Sequence, residues 1–162
     1  MSGILILGAG NTLAGDDGVG VEVARALIGD PRLPEGTDVI PAGSDLLRAA
    51  DLMRERRLVV VIDAIMGDAP PGTIELFERD LRVLEERQGH AHHLSVPQAL
   101  ELLRAVTGVL EGAEVVVVGV VVSEVHHGPH LTEELGAKVP EIADEVVALV
   151  HKRHERGGAS FD

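Results

Sequence analysis

The sequence predicts an α/β fold, a three-layer α/β/α sandwich on a mostly parallel five-stranded sheet. Three observations lead there. The runs Ile4 to Leu7, Leu58 to Ile62 and Val115 to Val122 are rich in β-branched residues and apolar throughout, the pattern of strands covered on both faces. Segments of helical spacing separate the runs. The first run leads directly into a glycine-rich turn, as the first strand of a doubly wound sheet does before its helix.

The elements follow in order. After the strand Ile4 to Leu7, the turn Gly8-Ala9-Gly10-Asn11-Thr12-Leu13-Ala14-Gly15-Asp16-Asp17-Gly18-Val19-Gly20 opens a helix over Val19 to Leu27. Thr37 to Ile40 reads as a weaker strand and Leu46 to Arg56 as a second helix. Leu58 to Ile62 reads as a central strand that Asp63 caps. Beyond the Pro70-Pro71-Gly72 turn, Thr73 to Phe77 alternates like an edge strand. Ser95 with Gln98 forms a capping box and starts a helix over Pro97 to Leu110, just after the loop bearing His90, His92 and His93. The run Val115 to Val122 leads to a second histidine cluster, His126, His127 and His130. A last helix spans Leu131 to Lys152, with a break expected at Pro140. Residues 1–156 read as a single domain and 157–162 as a frayed tail.

Composition narrows the function. The chain has 162 residues, enough for one well-packed domain, and its only aromatic residues are Phe77 and Phe161, so the core is aliphatic and offers no stacking platform for bases. It has no cysteine, which excludes thiol nucleophiles, disulfides and thiolate metal sites. Acidic residues outnumber basic ones by 27 to 14, a net charge of -13 that disfavours nucleic acid as partner. The apolar runs are too short for a membrane span or a signal-peptide core, so the expectation is a soluble cytoplasmic protein. With no long heptad or exposed apolar stripe, the expected state is a monomer.

Chemistry enters with the acidic residues. A nucleotide-binding turn would present amides to phosphate, whereas here Asp16 and Asp17 stand at the helix start and Leu13 replaces the third glycine of a dinucleotide fingerprint. Carboxylates suit a cation better. If the first and third strands are parallel neighbours, Asp17 and Asp63 share one rim of the sheet, and His92 or His93 reaches it from its loop. Two carboxylates and one imidazole make a three-ligand divalent-metal site with positions open for water or substrate. Each part also has a plainer reading: Asp17 as a helix cap and the histidines as exposed loop residues. An acidic residue ending an apolar strand, as Asp63 does, must be desolvated, paired or functional.

These strings resemble the hydrogenase maturation protease family: G-A-G-N-T-L-A-G-D-D-G-V-G from Gly8, the Asp63-Ala64 pair after a V/I-rich strand, and H-x-L-S-V from His92. The order continues through P-G-T-I-E at Pro71, G-V-V-V at Gly119 and G-P-H-L-T at Gly128. Ser123 is a departure, since family members often carry proline near the end of that strand. The resemblance implies an endopeptidase that trims the C-terminal extension of a nickel-iron hydrogenase large-subunit precursor after nickel insertion. The nickel is then that of the precursor rather than a tightly held metal of the protease. The family's nickel-contacting positions carry over to Asp17, Asp63 and His92, with His93 and Asp16 as neighbouring alternatives. Asp17 and Asp63 are the catalytic candidates, Asp17 for water activation and Asp63 with His92 for nickel contact. The competing readings are a non-catalytic carrier or chaperone for a nickel-bearing partner and, below it, a nucleotide-binding module.

Overall fold

The computed structural model describes residues 3–78, 81–88, 95–123 and 128–159. Five strands form one sheet: β1 (Ile4–Ala9), β2 (Asp38–Gly43), β3 (Leu58–Met66), β4 (Ile74–Phe77) and β5 (Glu114–Val122), in the order β2-β1-β3-β5-β4. All neighbours are parallel except β4, which runs antiparallel to β5 at the edge. Among the described residues four α-helices accompany them: α1 (Val19–Leu27), α2 (Arg82–Arg87), α3 (Val96–Thr107) and α4 (Glu133–Ala159).

The continuous apolarity of the central strands has the predicted cause. Successive side chains of a strand point to opposite faces, and here both faces are covered. Ile4 and Ile6 of β1 pack with Val19, Val23 and Leu27 of α1 and with Ile142, Val146 and Val150 of α4. Leu5 and Leu7 face the other way, toward Met53, Leu84 of α2, and Leu100 and Leu103 of α3. The two clusters make the three layers of the predicted sandwich.

Several elements differ from the sequence reading in informative ways. The stretch expected as a helix over Leu46 to Arg56 is a 3-10 helix over Leu46–Met53, opened by the Asp45 carboxylate accepting from the Leu47 N–H. Buried Leu46 and Ala49 sit three residues apart, the repeat that a 3-10 helix stacks on one side. The third helix ends at Thr107, because Gly108 takes the left-handed conformation (φ 66°) that terminates helices. The Ser95 capping box forms as expected: Ser95 Oγ accepts from the Gln98 N–H at 3.3 Å, and Gln98 Oε1 from the Ser95 N–H at 3.1 Å.

Helix α4 passes through Pro140 unbroken and extends to Ala159, into the stretch read as a tail. An interior proline costs about 3 kcal/mol, but each large aliphatic side chain buried repays about 1.5–3 kcal/mol. Leu135 before the proline and Ile142, Val146 and Val150 after it are all buried, so packing on both sides holds the helix together.

The largest consequence for the site comes from β3. It does not end at Ile62 but continues through Met66, so Asp63 lies within the strand rather than capping it. The register explains why. Pairing with β1 stops at Gly8↔Ile62, while pairing with β5 continues through Asp63↔Gly119 to Met66↔Val122. Asp63 is therefore the first residue of β3 beyond its β1 neighbour. It stands in the notch opened where β1 turns away, on the carboxyl side of the strands where the strand order reverses, the place at which open α/β sheets bind ligands.

Candidate active site

The first wall of the notch is the glycine-rich turn. Asn11 Oδ1 accepts from the Leu13 N–H at 2.9 Å, and the Ala14 N–H donates to the Asn11 carbonyl at 3.1 Å, which curls the chain after β1. A parallel bridge between Ala14 and Gly128 staples the turn from outside: the Gly15 N–H donates to the Gly128 carbonyl at 2.8 Å, and the Gly128 N–H to the Leu13 carbonyl at 3.0 Å.

The adjacent aspartates then go separate ways. Asp16 is 1% exposed; its Oδ1 accepts from the Thr132 N–H at 2.7 Å and its Oδ2 from the Thr132 hydroxyl at 3.1 Å, fastening the turn to the start of α4. Asp17 is half-buried, and its Oδ2 accepts from the Asn11 N–H at 2.8 Å. Of the two, Asp17 is the one whose charge reaches Asp63.

Glycine is required where the turn meets the sheet. A β-carbon at Gly10, whose φ is +130°, would lie 2.0 Å from the Asp17 carbonyl oxygen and 3.6 Å from Asp63 Oδ1. Gly10 is thus the spacer between the two acidic residues. At Gly20 a β-carbon would fall 2.2 Å from the Ile62 carbonyl oxygen, so only glycine lets α1 lie this close to the strands.

Asp63 forms the second wall. It is 6% exposed, with Oδ1 accepting from the Ala64 N–H at 2.9 Å and Oδ2 from the Gln88 side-chain amide. Burial pushes its carboxyl up to about 7, opposed by the Gln88 hydrogen bond, reinforced by the Asp17 charge, and opposed again by the Ala64 N–H. A carboxyl poised there exchanges protons near neutral pH, and its ionisation becomes favourable when a cation arrives beside it.

The structure thus places Asp17 where its charge acts on Asp63 and commits the Asp16 carboxylate to Thr132. His90, His92, His93, His126 and His127 lie outside the described residues, and His130 is exposed. Among the described residues, no three His, Cys, Asp or Glu side chains converge as a metal-holding group.

Two residues of the notch escaped sequence reading. Gln88 donates to Asp63, and Arg87 donates from Nε to the Met66 carbonyl at 2.6 Å and from its two terminal nitrogens to Glu75 at 2.7 and 3.1 Å. Both sit at the end of α2, which the sequence reading left out. Its only signal was Leu84, a single buried leucine among charged neighbours.

A mostly parallel sheet with a buried carboxyl and a second acidic residue at its carboxyl edge, at the point where the strand order reverses, defines a class of α/β proteins whose ligand site lies at that notch. Comparisons with known proteins make the class specific. The model of the hydrogenase maturation protease family matches residues 21–149, a span that contains Asp63 and begins just past Asp17. The chain is 32% identical over 152 residues to a putative hydrogenase maturation protease of Methanocaldococcus jannaschii, covering 91% of this chain and 93% of that protein. Among solved structures it resembles the [NiFe] hydrogenase maturation protease HybD from Thermococcus kodakarensis (29% identity, 91% of this chain and 98% of that one, TM-score 0.71). It also resembles the hydrogenase maturating endopeptidase HybD from E. coli (26% identity, 93% of each chain, TM-score 0.77). The chain belongs to the hydrogenase maturation protease family, which makes it a hydrolase of the peptidase class. No described helix is long and apolar enough to cross a membrane.

Proposed function

We propose that this protein is the endopeptidase that removes the C-terminal extension of a nickel-iron hydrogenase large-subunit precursor once nickel is in place. One observation carries the reading: Asp63, buried in the notch beside Asp17, is held with its carboxyl near 7. Such a group is only partly ionised in an empty site near neutral pH. A precursor bearing nickel would draw it fully into the ionised form, so its carboxylate is suited to contact a metal that the substrate brings.

In this reading Asp63 and His92 contact the precursor's nickel, and Asp17, the more accessible carboxylate, takes a proton from the attacking water. The water oxygen adds to the scissile carbonyl carbon, the C–N bond breaks, and the proton passes to the departing nitrogen. Hydrolysis is then carboxylate-driven with help from the substrate's metal. The chain acts as one domain whose last helix runs to Ala159, as a monomer in the cytoplasm.

Intact-mass analysis of the precursor, nickel-loaded and nickel-free, tests the proposal. The expected result is loss of one C-terminal peptide from the nickel-loaded form alone, at a rate that Asp17→Asn and Asp63→Asn each reduce by about 100-fold or more. Complex formation with no change in mass would instead identify a carrier.

A further inference from the structure

Gln88 occupies an unusual place. Its side-chain amide has two different ends, and each meets a group that accepts only one of them. The Val96 N–H at the start of α3 is purely a donor, so it fixes Oε1, at 3.2 Å, on its side. The Nε2 group must then point the other way, where it donates to Asp63 Oδ2 and, at 3.4 Å, to the Ala64 carbonyl. The polarity of the network therefore orients the amide without ambiguity.

The preceding residue removes most of the remaining freedom. Arg87 is fixed to the Met66 carbonyl at the end of β3 and, through a two-pronged contact, to Glu75 of β4. The guanidinium also fills the space beside Gly67, where a β-carbon would lie 2.4 Å from it. The end of α2 is thereby pinned to the strand that carries Asp63, and Gln88 is delivered to the carboxylate from a fixed point.

We propose that Gln88 is a positioning residue, which holds the Asp63 carboxylate in one orientation through an amide whose direction is set by the Val96 N–H. Asp63 has two oxygens, and the Ala64 N–H and Gln88 take one each, which locks rotation about its terminal bond. This inference rests on the peptidase reading for its catalytic consequence, while the contact itself stands apart from it.

Two variants separate positioning from mere anchoring. Gln88→Glu keeps the length and an acceptor for the Val96 N–H but replaces the permanent amide donor to Asp63 with a carboxyl that donates only while protonated, so it is assayed at alkaline pH, where both carboxyls are ionised. Gln88→Met loses donor and acceptor alike. If Gln88 positions Asp63, both variants slow processing of the nickel-loaded precursor by about 10- to 100-fold, the usual cost of losing a group that orients a metal-contacting side chain. If Gln88 only anchors α3, Gln88→Glu processes at the parent rate, and the proposal is overturned.

A spectroscopic measurement on the protein alone needs neither precursor nor nickel. The Gln88 side-chain amide protons should resonate downfield of a solvated carboxamide and move back upfield in Asp63→Ala. A solvated position in the parent protein overturns the proposal even if Gln88→Met fails to fold. A parent protein that leaves the precursor intact, yet shows the response to Asp63→Ala, sinks the peptidase reading and upholds the contact.

Discussion

The two walls of the notch are built differently. The first, residues 10–18, curls on itself through short-range turn bonds and glycine and is then fastened from outside by Gly128 and by the Asp16 contact with Thr132. The second is a strand residue, Asp63, whose carboxylate is held by its own neighbour Ala64 and by a side chain 25 residues further along the chain. The difference also appears in the carboxylates. Asp17 remains partly open to solvent, whereas Asp63 is closed in and held near 7 by its burial. One wall supplies an accessible carboxylate on a rigid turn, and the other a desolvated carboxyl whose charge depends on what binds. In the proposed reading, a site that acts on a metal-bearing substrate has use for both.

Gly10 is where the walls touch, so replacing it gives the largest structural effect. Gly10→Ala forces a β-carbon to 2.0 Å from the Asp17 carbonyl oxygen at a φ of +130°, a collision with backbone that no rotamer relieves. We expect a loss of about 3 kcal/mol or more in urea unfolding, with the turn displaced from Asp63. A variant of parent stability would show that the turn is softer than its hydrogen bonds imply, and it would no longer count as a rigid support for Asp17.

The second wall is tested through pH. Because the carboxyl of Asp63 is raised from the usual carboxylate range to about 7 in the folded protein, its contribution favours folding at low pH and is lost as pH rises toward 7. Other carboxylates titrate as well, so the informative quantity is the stability of Asp63→Asn minus that of the parent. That difference should climb in favour of the variant by about 3 kcal/mol between pH 5 and pH 8, at about 1.4 kcal/mol per unit until the folded carboxyl has ionised. Denaturant titrations at several pH values measure it. A flat difference would mean that burial does not raise the Asp63 carboxyl in the folded protein, and the electrostatic account of the second wall would fail.

The contrast also explains what the sequence disclosed. The first wall was legible because its determinants are adjacent: an apolar run, glycines at a turn, and acidic residues before a helix, each with a local physical meaning. Placing Asp17 and Asp63 on one rim needed only parallel β1 and β3, and the register confirms that pairing. The second wall was not legible. That β3 outlasts β1 by several residues depends on β5 reaching as far as Val122, a property of two strands and not of one. Gln88 gave no signal because its partners, Asp63 and Val96, are distant in sequence and α2 buries a single leucine. The motifs that carried the family resemblance prove to be fasteners in large part: Glu75 of P-G-T-I-E grips Arg87, Pro71 accepts from Lys138 at 2.7 Å, and Thr132 of G-P-H-L-T grips Asp16. Strings that identify a family need not be the groups that react.

The smallest expected effect is the most discriminating within the first wall. Asp16 and Asp17 are neighbours of identical chemistry, yet only Asp16 has both oxygens occupied by Thr132. Asp16→Ala leaves the Thr132 N–H and hydroxyl without their acceptor in a partly buried place, which should cost about 2 kcal/mol of stability. Precursor processing per folded molecule should fall far less than in Asp17→Asn, because the carboxylate facing Asp63 is untouched. The matching substitution Asp17→Ala should show the reverse pattern, a modest change in stability, since the Asn11 N–H loses one partner, and a severe loss of processing. Unfolding curves and intact-mass time courses on the two alanine variants yield four numbers, and the assignment requires them to cross. If both variants lose stability and processing in equal proportion, the two aspartates work as one unit, and the division between fastener and reacting group in this turn is wrong.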